Sequence, residues 1–365
     1  MRRAPRARLA AVGVATTCAL FVAGCGAANE GGGGGEAAGG GVSGTISGAG
    51  ASSQQAAMQA WIAGFNEANP DATVNYDPVG SGGGRTQFVE GGTQFAGSDA
   101  YIKDEQLEQA RERCGGEIIE IPNYVSPIAV IYNLPGVADL NLSAATMAGI
   151  FNGTITTWNA PEITAENPGV ELPATGITPV HRSDESGTTE NFTEFLGAAA
   201  GDVWTEEPDG NWPIQGGEAA QGTSGVVGAV GAGEGAIGYA DASQAGDLGT
   251  AKLRVGDQDV EATPEAAAQI LEESQRVEGQ GDGSFAFDLN RTAEGGAYPI
   301  VLVSYLIGCQ TYSDQAQADV TKAFFDYVVS DEGQQAAAQA AGSAPLSETL
   351  RGQITPVIDG ITAAG

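Results

Sequence analysis

The sequence predicts an α/β chain with room for two lobes, and three observations carry that expectation. At 365 residues the chain is too long for one ordinary core. Hydrophobic residues make up 42% of it, enough to fill a larger one. Short apolar segments alternate with stretches of helical periodicity, and no repeat of fixed period runs through them.

The elements follow in order. Thr45-Ile46 leads as a strand into Gly48–Ala51. A helix is expected from about Ser52, with Met58, Trp61, Ile62 and Phe65 at helical spacing, and Asn69-Pro70 stops it. Thr73–Tyr76 reads as a strand, and Ser81–Gly84 opens a helix running through Phe88. Ile118–Ile121 and Ile128–Tyr132 read as two separate strands. Ile177–Val180 is a further strand, followed by a turn and a helix carrying Phe192, Phe195 and Leu196. Gly235–Tyr239 is a tight turn into a strand, Ile300–Leu306 is a buried apolar segment, and Phe324, Phe325, Tyr327 and Val328 mark a late helix. Periodicity sets the class; it does not order the strands.

The first 24 residues read as a leader. Arg2, Arg3, Arg6 and Arg8 precede an apolar run from Leu9 to Val22. That run is shorter than the ~20 residues a membrane span needs, which favours a signal peptide over a transmembrane helix. It ends in Val22-Ala23-Gly24-Cys25, which resembles the lipobox of bacterial lipoproteins. The resemblance implies cleavage before Cys25, lipid on Cys25, and an anchor on the outer face of the cytoplasmic membrane. Residues 25–41 are nearly all Gly, Ala and Glu and read as a flexible tether with a reach of roughly 20–25 Å.

Two cysteines then remain for the folded part, Cys114 and Cys309. In an exported, oxidising setting a disulfide between them is expected, and the alternative is a pair of buried thiols. A loop this long would stabilise by roughly 4–5 kcal/mol in the chain-entropy model. His181 is the single histidine, and no His/Cys cluster has metal-ligand spacing, so neither a metal nor another cofactor is expected.

The formal net charge is −31. Without the leader's four arginines, 11 basic residues face 46 acidic ones, a balance of −35. Such a surface repels nucleic acid and has no grip on anionic lipid. An anionic ligand must therefore be held by a local site.

Three Ser/Thr-Gly turns stand directly before helical patterns: Gly50-Ala51-Ser52-Ser53, Gly80-Ser81-Gly82-Gly83 and Ser186-Gly187-Thr188. Each offers unpaired backbone N–H groups, a positive helix end and a hydroxyl, a combination that favours an anion. Singly, each turn reads as an ordinary cap. Arg182 lies four residues before the third turn, suited to bidentate capture of a tetrahedral oxyanion, with Asp184 placed to orient it. A surface Arg–Asp pair is the plainer reading. Asp99 closes the small-residue run Phe95-Ala96-Gly97-Ser98-Asp99-Ala100 and would by itself read as a cap.

These segments, in this order, resemble the high-affinity phosphate-binding proteins of the phosphate ABC transporter. Gly48–Ser53 and Gly80–Gly83 look like that family's first two ligand turns. Phe95–Ala100 resembles the segment that supplies a buried Asp, and Arg182–Thr188 resembles its Arg-x-Asp-x-Ser-Gly-Thr signature. Gly235–Tyr239 and Ala344-Pro345-Leu346 match later landmarks, so the similarity runs from about Val42 to the carboxyl terminus.

The resemblance implies a two-lobed, type II periplasmic-binding-protein-like fold with the ligand cleft between the lobes. Lobe I would take residues 42–124 and 303–365, and lobe II residues 125–302, with crossovers near Pro122–Ser126 and Tyr298–Val303. It implies a monomer that binds inorganic phosphate and presents it to the permease subunits, touching the membrane through its lipid alone. Ser52 and Ser53 would donate backbone N–H groups, and the Ser52 and Ser81 hydroxyls would also reach the ligand. Arg182 would hold two ligand oxygens, with Asp184 behind it. Ser186, Gly187 and Thr188 would add backbone and hydroxyl donors, and Asp99 would accept the proton that phosphate keeps near neutral pH. Sites built around a ligand hydrogen can reject analogues lacking it by roughly 10⁴–10⁵.

Some residues depart from the family. A Thr and a bulky apolar residue often stand where this chain has Ser52-Ser53, which puts the apolar wall beside the ligand in doubt. His181 and Glu185 read as local variations; Arg85 could add a second cation near the Ser81 turn, but the plainer reading is a solvent-facing one. The competing function is a secreted phosphate-ester hydrolase, but the chain lacks a metal cluster, a Gly-x-Ser-x-Gly elbow and a nucleophile paired with its histidine. A second alternative keeps the fold and binds another oxyanion. The expectation is a binding protein and not an enzyme.

Overall fold

Strands and helices alternate along the chain as the apolar pattern predicts. The computed structural model describes residues 41–292 and 295–365. The leader, Cys25 and the tether up to residue 40 lie outside the described residues. The strands are β1 (Gly44–Gly50), β2 (Ala72–Asp77), β3 (Phe95–Ser98), β4 (Ile118–Tyr132), β5 (Asn141–Ser143), β6 (Thr178–Arg182), β7 (Glu218–Ala220), β8 (Ala236–Asp241), β9 (Gly249–Val255), β10 (Gln258–Val260), β11 (Gln275–Arg276), β12 (Phe287–Asp288), β13 (Val301–Cys309), β14 (Thr311–Tyr312) and β15 (Thr362–Ala363). The helices are α1 (Gln55–Ala68), α2 (Ser81–Val89), α3 (Asp104–Cys114), α4 (Ala144–Phe151), α5 (Pro161–Glu166), α6 (Gly187–Ala200), α7 (Gly222–Ala232), α8 (Pro264–Glu273), α9 (Gln315–Val329), α10 (Asp331–Ala341) and α11 (Glu348–Asp359).

Among the described residues, eleven strands form one mixed sheet with the path β2-β1-β3-β13-β4-β8-β6-β7; β9 joins β4 and carries β5 and β10. The strands β1, β2 and β3 pair in parallel, as do β6 with β7 and β8. Parallel neighbours need crossovers, and helices supply them: α1 between β1 and β2, α2 between β2 and β3, and α6 between β6 and β7. Each of these helices therefore points its N-terminus out of the carboxyl end of a strand, where open α/β sheets place their ligands.

Helix α1 shows how the sequence builds this. Met58, Trp61 and Phe65 recur on one face and are buried, each fully buried apolar side chain contributing about 1.5–3 kcal/mol. Trp61 Nε1 donates to the Gly333 carbonyl of α10 at 2.8 Å, and Phe65 meets Phe324 of α9 edge-on at 5.4 Å. The helix begins at Gln55, three residues later than periodicity suggests. Ser52 and Ser53 thus stay in a non-helical turn, with their backbone groups available for other work.

The expected pair of strands, Ile118–Ile121 and Ile128–Tyr132, is one fifteen-residue strand, buried throughout. Pro122 and Pro127 suggest a break, because proline removes a ladder donor. Instead β13 pairs antiparallel along the first part, and the register shifts between Ser304 and Tyr305, opposite Tyr124 and Pro122, which leaves Asn123 as the extra residue of a bulge. From Ile128 onward β4 leaves β13 and pairs with β8 and β9. One strand therefore belongs to both halves of the sheet.

Cys114 at the end of α3 and Cys309 at the end of β13 form the expected disulfide across 195 residues. The chain-entropy model gives about 5 kcal/mol for a loop of that length. Reduction should lower the melting temperature by roughly 5–10 °C for a chain of this size. A melting curve unchanged by reductant would show that the bond adds nothing to stability. Residues 41–365 form one compact unit. No helix among the described residues is long and apolar enough to cross a membrane.

Candidate functional site

Four helix N-termini converge near the middle of the sheet. The turn Ser52–Gln54 leads into α1, Gly80 caps α2, Ser186 caps α6, and Gln221 precedes α7. The first N–H groups of a helix have no intrahelical acceptor, so Ser81, Gly187 and Thr188 bring free donors and a positive dipole end to one place. All the candidate residues Ser52, Ser53, Ser81, Asp99, Arg182, Ser186 and Thr188 are buried, each at most 4% exposed.

Asp99 sits just past β3 with its carboxylate enclosed by hydroxyls. Ser53 Oγ donates between its two oxygens at 2.7 and 2.8 Å. Ser304 Oγ donates to Oδ1 at 2.6 Å, and Thr188 Oγ1 to Oδ2 at 3.0 Å. Burial pushes the Asp99 carboxyl above its ordinary value, and these hydroxyls together with the Arg182 charge work against that rise. The Asp99 N–H donates to Ser81 Oγ at 3.1 Å, so the Ser81 proton stays free to point elsewhere.

Arg182, at the end of β6, supplies the cation. Its Nε and Nη2 donate to Asp184, the first at 2.8 Å to Oδ1. Asp184 also accepts the Gly222 N–H at 3.0 Å, which ties it to the start of α7. Burial works to raise the Asp184 carboxyl, but the hydrogen bonds and charge of Arg182 overcome it and hold the group below its ordinary value. Arg182 has five N–H donors, and Nη1 together with the second Nη2 proton is left for two ligand oxygens. The Arg182 backbone N–H donates to Tyr239 Oη at 3.3 Å, and Thr189 Oγ1 shares that hydroxyl at 2.8 Å.

The remaining donors are ordered around these two. Ser186 Oγ accepts the Thr189 N–H at 3.2 Å as the α6 cap, while the Ser186 N–H is taken by the Gly210 carbonyl at 2.9 Å. The available part of Ser186 is thus its hydroxyl proton. Ser52 Oγ accepts the Thr223 N–H at 3.0 Å and lies 3.0 Å from Thr223 Oγ1. Gln244 Nε2 donates to the Ser52 and Ser53 carbonyls at 2.9 and 3.0 Å, which turns their N–H groups the other way. Gly187 must be glycine: a Cβ there would lie 2.7 Å from Asp99 Cβ and 2.8 Å from Ser81 Oγ. That close approach joins the two halves of the chain directly at the site.

A buried carboxylate opposite a half-used guanidinium, ringed by N–H and O–H donors, matches a tetrahedral oxyanion that carries a proton. A family profile described as the PBP superfamily domain matches residues 35–332. The phosphate-binding protein PstS2 of Mycobacterium bovis is 33% identical over 326 residues, spanning 87% of each chain. The phosphate-binding protein PstS 3 of Mycobacterium leprae is 33% identical over 369 residues, spanning 96% of this chain and 98% of its own. The chain belongs to the PstS family of phosphate-binding proteins. Its fold is that of the phosphate-bound, high-affinity periplasmic phosphate-binding protein PfluDING, with a TM-score of 0.66 at 23% identity over 87% of this chain and 99% of that one.

The candidate site contains several residues that local sequence patterns misassign or miss. Arg85, expected to face solvent, is 6% exposed and donates to Gln106 Oε1, Ser98 Oγ and Glu185 Oε1, each at 2.8 Å. It sits on the inner face of α2, one turn in, and Glu185 reaches it from the far side of the site. Gly82 makes room for that reach, since a Cβ there would lie 2.1 Å from the Glu185 carboxyl carbon. Lys103 and Glu190 make a second such pair at 2.8 Å. These four residues are among those lining a cavity of about 250 Å³.

Ser53, expected to act through its backbone, also turns its hydroxyl onto Asp99. Ser304 and Thr223 were not singled out at all. Thr223 follows Gly222 directly before an apolar helix, so it carried the same Gly-Thr turn signal as the other three. Ser304 had a fainter one, as the one small polar side chain in the apolar run Ile300–Leu306. His181 stacks on Trp212 at 5.1 Å and meets the Arg182 and Gly216 carbonyls at 2.9 and 3.1 Å, a structural role.

Proposed function

We propose that the chain captures inorganic phosphate between its two lobes and delivers it to the permease of an ABC transporter. The observation that carries this reading is Asp99. A buried carboxylate that already accepts three hydroxyl donors can take a fourth, and a ligand oxygen bearing a proton supplies it. Arg182 faces the same space with uncommitted donors. Ser52, Ser53, Ser81, Ser186, Gly187 and Thr188 provide the remaining hydrogen bonds, and Asp184 holds Arg182 in place. Membership of a family whose relatives are named phosphate-binding proteins supports the same reading, and the role is binding and not catalysis.

The lobes in this reading are residues 42–124 with 303–365, and residues 125–302. The change of partner along β4 at Pro127–Ile128 supports a hinge close to that division. The reading extends to a monomer held by lipid on Cys25 at the outer face of the cytoplasmic membrane. The leader ending in Val22-Ala23-Gly24-Cys25 supports the anchor. Replacing Cys25 with alanine would release the protein from the membrane fraction if the anchor is there.

The test is calorimetric titration of ligand-free protein from Gly26 onward, which contains the whole compact unit, with phosphate and then sulfate. One-to-one phosphate binding with no response to sulfate is expected. Silence toward phosphate removes the proposal.

The Arg85–Glu185 pair spans the two lobes, with Arg85 buried and the Glu185 side chain 38% exposed. Solvent screens such a pair, so its contribution to closure is modest. Glu185→Gln should weaken phosphate affinity by about twofold to fivefold and flatten its dependence on salt. An unchanged affinity and salt slope would show that the pair does not favour the closed form.

A further inference from the structure

We propose that Ser304, assisted by Ser53, is a specificity-determining residue, whose hydroxyl holds Asp99 as an obligate hydrogen-bond acceptor and so enforces selection of a protonated oxyanion. The inference rests on the phosphate-binding reading above and concerns what makes that reading selective. Ser304 touches no expected ligand position. It acts through Asp99 as a positioning residue.

The argument is a count of protons. A hydroxyl donates one. Ser53 Oγ spends its proton between the two Asp99 oxygens, Ser304 spends one on Oδ1, and Thr188 spends one on Oδ2. An ionised carboxylate has about four lone-pair sites. Three donors leave one site, and only a donor can fill it favourably. A protonated Asp99 would fill that remaining site with its own hydrogen, and the three hydroxyls would then donate to a neutral carboxyl, to which their bonds are weaker than to a charged one.

The three donors differ in origin. Ser53 and Ser304 come from the same side of the cleft as Asp99 and are each wholly buried. Thr188 stands on the first turn of α6, on the opposite side. Ser53 and Ser304 can therefore keep Asp99 in its acceptor state before closure, whereas Thr188 arrives with it. Ser304 also sits at the register shift of β13 against β4. The strand between β3 and β4 thus carries the hydroxyl that aims Asp99.

The charged and titratable groups facing Asp99 are few. Arg182 of β6 lies across the site and favours the ionised form, and Tyr76 of β2 feels the Asp99 charge from behind. Arg85 of α2 is held by Gln106, Ser98 and Glu185. Burial raises the Asp99 carboxyl, with the serine hydroxyls opposing. Removing one hydroxyl therefore makes Asp99 easier to protonate, and a protonated Asp99 can donate to a fully ionised oxygen.

The experiment titrates the wild-type chain from Gly26 onward, Ser304→Ala and Ser53→Ala with inorganic phosphate and with sulfate across about pH 5 to 8. Thermal melting checks that each variant is folded, and Ser53→Ala carries the test if Ser304→Ala does not fold. Ser304→Ala should bind phosphate about tenfold more weakly near neutral pH. Its preference for phosphate over sulfate should fall by a further factor of about ten toward acid pH, with sulfate binding appearing at a higher pH than in the wild type. Ser304→Thr, which keeps the hydroxyl, should retain the wild-type preference. A folded Ser304→Ala and Ser53→Ala with the wild-type phosphate-to-sulfate ratio at every pH would overturn the inference and leave the phosphate reading standing. A wild type that binds neither anion would remove both.

Discussion

Arg182→Ala should abolish high-affinity phosphate binding. Two charge-assisted hydrogen bonds to ligand oxygens are lost, each contributing roughly 1.5–3 kcal/mol, so affinity should fall by about 10²–10⁴-fold. The loss does not stop at the ligand. Asp184 keeps only the Gly222 N–H among its named partners once the guanidinium is gone, and it lies half-buried beside a site meant for an anion. That leftover negative charge repels what the cleft should attract, in a chain whose net charge is already −31. Lysine would not rescue the site, because a point charge cannot hold Asp184 and two ligand oxygens in one plane. Calorimetry on the variant measures the effect. Affinity within a few-fold of the wild type would mean that Arg182 is a structural ion pair and that the ligand lies elsewhere.

Asp99→Asn should change selectivity more than affinity. The amide keeps the volume and one acceptor oxygen, and its NH₂ group can donate to a ligand oxygen without a proton. Phosphate loses its charged acceptor and binds roughly tenfold to a hundredfold more weakly. Sulfate no longer meets an unpaired carboxylate, which in the wild type leaves two like charges together in a buried site. Discrimination of roughly 10⁴–10⁵ should therefore shrink to about 10² or less. Parallel titrations with the two anions give the ratio. If it stays at the wild-type value, selection does not depend on the Asp99 charge, and the same result would undercut the role assigned to Ser304.

Most of the candidate residues that the sequence singled out and the fold brings together share one property: their setting is local. Ser81, Ser186, Gly187 and Thr188 lie in turns immediately before helices, and a helix N-terminus exposes its N–H groups wherever it sits in the fold. Arg182 and Asp184 are two residues apart, so one strand end places both. The residues that were missed act across the chain. Arg85 was read as exposed because an arginine after three glycines on a weakly amphipathic helix has no local reason to be buried. Its buried guanidinium is held by Ser98, Gln106 and Glu185, the last a hundred positions away. Ser304 reaches Asp99 across 205 positions, through the neighbouring strands β3 and β13. The two prolines of β4 read as a break, whereas a bulge at Asn123 and continuous pairing with β13 carry the strand through.

By itself, the sequence determined the α/β class, the excess of negative charge and the disulfide partners, and it singled out the candidate oxyanion donors. Each follows from composition or from neighbours within a few residues, where backbone geometry and capping chemistry act directly. Tertiary structure decided which donors face one another, that Asp99 is enclosed by hydroxyls from three distant segments, and that Arg85 and Glu185 meet across the cleft. Those contacts depend on strand order and register, which are settled by the burial of whole faces at once and leave no short-range mark on the chain.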